Sequence, residues 1–125
     1  MNIQTYVVDK NGQVLDMQVF DFSDELFMHL AKSEFSKLGV SVKTTVVIDE
    51  EHVELKLVQL SRHVRHALAG YLKDFLVDFL KESLRKMGRS PSKIEYQEYT
   101  VDLKVIPDLI RCIENEKYTH LNRMG

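Results

Sequence analysis

Tyr6, Val8, Leu15, Met17 and Val19 fall on one side of an alternating pattern that reverses at Lys10-Asn11-Gly12-Gln13. Asn-Gly supplies the two positive-φ residues of a type I′ hairpin turn. Two strands are therefore expected over about 4–9 and 13–20, with Val8 facing Leu15 and Tyr6 facing Met17. Ser23 then reads as a helix N-cap, with Phe22 and Phe27 at the spacing of a hydrophobic staple. Leu26, Phe27, Leu30, Ala31 and Leu38 recur at helical spacing up to Gly39, a left-handed stop, so a helix is expected over 24–38. Val42, Thr44, Val46 and Ile48 alternate, an acidic tip follows at Asp49-Glu50-Glu51, and Val53, Leu55 and Leu57 alternate back. Pairing Ile48 with Val53 makes a second self-consistent hairpin.

From Leu60 to Met87 the period becomes that of one long amphipathic helix, expected to continue through Gly70 because glycine costs a helix interior only about 1 kcal/mol. Its apolar arc, from Tyr71 round to Leu80, is wider than the roughly 100° stripe that packing on one sheet demands. At about 1.5 Å per residue such a rod outruns any strand beneath it. Gly88 to Ser92 reads as a linker. Ile94 and Tyr96 alternate in one phase and Tyr99, Val101, Leu103 and Val105 in the other, which predicts a strand with a bulge near Gln97 and Glu98. Pro107 is expected to open a short last helix through Leu109, Ile110 and Ile113, and the final six or so residues to fray. The expected order is ββαββαβα in one α+β domain over 1–125, a single, mostly antiparallel sheet with helices on one face. Without its first strand and last helix it reads as the βαββαβ core of ferredoxin-like folds.

Composition narrows the class. At 125 residues with 44% hydrophobic and 29% charged residues, the chain suits one globular domain. No apolar run approaches the ~20 residues of a membrane span. The first residues lack a signal-peptide pattern, and a lone Cys112 suits a reducing, cytoplasmic setting.

Charge adds a clue to partners. Residues 61–93 hold eight basic and three acidic side chains, while residues 1–60 hold five and ten. Such segregation concerns association rather than fold. On the long helix Arg62, His66 and Lys73 share a narrow stripe, with His63 and Arg65 close by and Arg89 and Lys93 in or near the linker. Together they form a candidate anion or nucleic-acid surface, although Asp74 and Asp78 interrupt it. His63-x-x-His66 offers two metal ligands where zinc needs three or four. No catalytic constellation and no cofactor motif is present, and Cys112 reads as a core residue. The expectation is a non-enzymatic interaction module, a regulator, inhibitor or adaptor. It would pair as a homodimer through Tyr71, Phe75, Leu76, Phe79, Leu80 and Leu84, with nucleic-acid binding as the alternative.

Overall fold

Asp9 shapes the first turn more than the Asn-Gly pair does. In a computed structural model, which describes residues 2–87 and 93–123, β1 (Asn2–Val8) and β2 (Val14–Asp21) pair antiparallel. The Asp9 carboxylate accepts the amides of Asn11 and Gln13, each at 2.9 Å. Gly12 takes a positive φ of 79° and Asn11 does not. The result is a type I turn closed by a left-handed glycine, not the expected type I′ turn. Tyr6 faces Met17 as expected, but the extra loop residue shifts the register at its end, so Val8 meets Val14 instead of Leu15.

Ser23 caps α1 (Asp24–Lys32), its hydroxyl accepting the Leu26 amide at 3.3 Å. The expected helix over 24–38 is in fact two pieces. Ser33 leaves helical geometry and accepts the Phe35 amide, starting a separate 3-10 turn, Glu34–Lys37. Gly39 has the anticipated positive φ, 73°. β3 (Ser41–Ile48) and β4 (Glu51–Gln59) then meet through a two-residue turn in which Asp49 and Glu50 both have positive φ, 49° and 68°. Ile48 consequently faces Glu51, and Val46 faces Val53. The pairing differs by two residues from the one expected. Because side chains alternate with period two, every apolar residue keeps its face.

α2 (Arg62–Met87) is one unbroken helix through Gly70. The expected linker, Gly88 to Ser92, lies outside the described residues. Beyond it the chain departs from expectation. The segment read as a bulged strand is the first half of a second long helix, α3 (Lys93–Glu114), and Pro107 sits inside that helix instead of opening it. Among the described side chains of α3, the most deeply buried, Asp102, Ile106, Leu109 and Ile113, follow steps of four, three and four. Apolar residues two apart, such as Leu103 and Val105, imitate a strand, and the proline cuts the helical period into two short fragments. Nor do residues 120–122 fray, while Met124 and Gly125 lie outside the described residues. β5 (His120–Asn122) lies between β1 and β4, with Leu121 wholly buried.

The element order is therefore ββαββααβ, and the sheet runs β2-β1-β5-β4-β3 with every neighbouring pair of strands antiparallel. One crossover helix would have returned β5 parallel to β4. Two antiparallel helices bring the chain back to the end it left, so β5 runs antiparallel. The class is α+β, as expected, but β5 pairs with β1 and β4, and not as a split βαβ would place it.

All three helices pack on one face of the sheet, around Ile3, Phe20, Val58 and Leu121. The other face holds a smaller cluster of Tyr6, Val46 and Leu57. In a flat sheet β1 and β3, three strand spacings apart, would lie roughly 14 Å from each other. The first turn nevertheless reaches β3, where the Val47 amide donates to the Gly12 carbonyl at 2.9 Å, so the sheet curls around this second cluster.

Candidate functional site

α2 presents three faces. Leu68 and Leu72 point into the core, and Leu76 packs partly against it. Tyr71, Phe75 and Phe79, one turn apart, stack along the side facing α1, with ring centroids 6.4 and 6.0 Å apart. His29 of α1 meets Phe75 at 5.2 Å, and Phe35 meets Tyr71 at 6.3 Å. The third face carries Val77, Leu80 and Leu84 within an arc of about 60°, and all three are exposed, Leu84 at 64%. The six residues expected to form one mating surface thus divide. Tyr71, Phe75, Leu76 and Phe79 are half-buried against this chain's own core, and only Leu80 and Leu84 are exposed.

Between α1, the later half of α2 and α3 lies a cleft of ≈ 530 Å³. Its wall is the aromatic ladder. Its rim is acidic, because Asp74, Asp78 and Glu82 recur every fourth residue and fall on this same side, opposite Glu25 of α1. Glu82 pairs with Arg85 at 2.5 Å. Two buried polar residues also line it. Asp102 of α3, 2% exposed, accepts the Ser23 amide at 3.0 Å and the Ser23 hydroxyl at 2.7 Å. Ser83, 1% exposed, has a hydroxyl without a hydrogen-bond partner among the described residues. The net positive charge of residues 61–93 concealed this acidic stripe. Its signal in the sequence was the i, i+4, i+8 spacing of the segment's three acidic residues on the aromatic side of the helix.

The structure places the basic candidates in different settings. Arg62, His63 and His66 are exposed. Arg65 instead turns inward, where its guanidinium donates to the carbonyls of Leu60, Ile113, Asn115 and Tyr118. Lys73 pairs with Glu114 of α3 at 3.0 Å. Lys93 is the first residue of α3, and Arg89 lies outside the described residues.

Among the described residues no group of three His, Cys, Asp or Glu side chains is placed to hold a metal ion. Cys112 is buried, its sulfur 3.0 Å from the Thr5 hydroxyl, and burial pushes its thiol pKa up. That environment favours the unreactive thiol over the thiolate. No helix among the described residues is long and apolar enough to cross a membrane. Comparison with protein-family models, curated proteins and solved structures finds no match.

Proposed function

We propose that the protein is a non-enzymatic interaction module of a reducing, cytoplasmic compartment, a small regulator, inhibitor or adaptor that acts as a homodimer. The observation that carries this reading is the outer flank of α2, where Val77, Leu80 and Leu84 are exposed on successive turns while the opposite side of the helix is covered by the core. Exposed apolar side chains gathered on one rigid element mark an association surface. A second copy is the favoured occupant because the chain's acidic N-terminal half and basic central segment complement each other.

Light scattering on the full chain is expected to give a mass near twice 14.6 kDa. Leu84→Asp, at an exposed position, is expected to yield a monomer that still unfolds in one cooperative transition, with a melting temperature lower only by what the dimer contributes. A wild-type chain that stays monomeric at about 100 μM would overturn the dimer, since that concentration would populate even a contact worth only ~6 kcal/mol. Nucleic-acid binding through Arg62, His63 and His66 is the second reading, favoured by their exposure. It predicts affinity falling steeply with salt. Arg65 and Lys73, engaged within the chain, contribute little to it.

A further inference from the structure

The geometry points to the cleft beside α2 as a binding site for a small amphipathic amine, a protonated ammonium carried on an apolar body. Three independent features of the cleft select that chemistry.

First, Asp102 is a carboxylate buried with two hydrogen bonds from Ser23 and no basic side chain within ion-pair distance among the described residues. A buried charge is costly unless a counter-charge meets it. Second, Ser83 lines the same cleft with a buried hydroxyl that no described group satisfies. Native folds rarely leave such groups without a partner. An ammonium supplies the counter-charge that Asp102 lacks and an N–H donor for the Ser83 oxygen, and an N⁺–H bond to a carboxylate is among the strongest hydrogen bonds available. Third, the stacked rings of Tyr71, Phe75 and Phe79 line the same cleft. Aromatic faces attract cations and bury apolar carbon equally well.

The rim then acts at longer range. Glu25, Asp74 and Asp78 have no ion-pair partner among the described residues, so their field draws cations toward the opening and repels anions. The volume of ≈ 530 Å³ falls within the range of small-molecule sites. The amine inserts with its ammonium toward Asp102 and Ser83 and its apolar body against the ladder. This site lies on a different face of α2 from the flank assigned to self-association, so either conclusion can fail without the other.

The test is titration of the full isotope-labelled chain with phenethylamine, phenethyl alcohol and hydrocinnamate, followed by NMR. These probes share an aromatic body of similar size and differ in charge. Phenethylamine is expected to saturate, with shifts confined to amides of α1, the second half of α2 and the neighbourhood of Asp102. The alcohol should bind about tenfold more weakly and the carboxylate weaker still. Asp102→Asn should remove most of the preference for amine over alcohol. Because Asp102 also holds the α1 cap, Asp78→Asn on the exposed rim serves as a second variant, expected to weaken the amine about two- to threefold without changing the fold. Equal affinity for amine and alcohol, shifts outside the cleft, or no saturation by about 10 mM amine, a level that would detect even ~3 kcal/mol of binding, would each overturn the assignment.

Discussion

Arg65 on the first turns of α2 donates to the carbonyl of Tyr118, 53 residues away in the chain, at 2.7 Å. The same guanidinium reaches the carbonyls of Ile113 and Asn115, where α3 ends, and that of Leu60, just before α2 begins. A helix leaves its last carbonyls unpaired, and here a side chain from the neighbouring helix satisfies that of Ile113 and two more in the chain that leaves α3. Arg65→Met keeps the aliphatic stem and removes every donor. It is expected to cost about 2–4 kcal/mol, since the carbonyls lose charge-assisted bonds and are partly sheltered from water. Arg65→Lys should recover only part of this, because an ammonium cannot reproduce the planar fork. Urea unfolding of the three chains checks the order.

Removal of residues 120–125 should abolish the fold. β5 joins β1 to β4, and without it the sheet falls into two hairpins with open edges. The deletion also takes away Arg123, which is buried and donates to the carbonyls of Phe35, Leu38 and Gly39, tying down the connection between α1 and β3. Circular dichroism without a cooperative thermal transition is the expected outcome. A truncated chain with a melting temperature near that of the full chain would show that the short strand does not hold the halves together.

Two glycines should respond oppositely to alanine. At Gly39 φ is +73°, and an added Cβ would lie 2.7 Å from Val58 Cγ1 and 2.9 Å from Val64 Cγ1. Gly39→Ala is expected to destabilise by about 2–3 kcal/mol through backbone strain and overpacking. Gly70 has nothing within 4 Å of that position. Gly70→Ala should therefore stabilise by about 1 kcal/mol, the difference in helix propensity. Chemical denaturation of both variants reads the sign directly.

Stability should peak between the ordinary pKa values of His120 and Cys112. Burial pushes the Cys112 thiol up from 9.0, so the folded chain keeps a proton that the unfolded chain releases. That contribution is complete below 9.0 and is lost as pH rises toward the folded value. Tyr6 and Tyr118, both raised by burial from 10.0, add to the same decline at higher pH. Burial lowers His120 from 6.5, so the unfolded chain gains the proton first and stability falls as pH drops below 6.5. Urea midpoints against pH should show both limbs. Cys112→Ala should flatten the alkaline limb near pH 9 and His120→Gln the onset of the acid one, whatever either does to the plateau.

Elements that depend on neighbours in the chain are legible in the residues alone. The faces of both hairpins, the Ser23 cap, the left-handed Gly39 and the unbroken α2 follow from alternation, capping chemistry and helical period over short spans. Even where the turns differ from expectation, as at Asp9 and at Asp49-Glu50, the two-residue period preserves which side chains face inward. α3 and β5 depend instead on packing and pairing between distant segments. Residues 94–105 carry apolar positions that suit either period, and packing of Ile106, Leu109 and Ile113 into the core resolves them as helix. Three residues at the end of the chain hold too little local preference to form a strand alone. His120–Asn122 is one because β1 and β4 offer hydrogen-bonding edges on both sides. The cleft has the same origin. Asp74, Asp78 and Glu82 are visible as a spacing, but Ser23, Ser83 and Asp102 line one cleft only when α1, α2 and α3 are stacked on one face of the sheet.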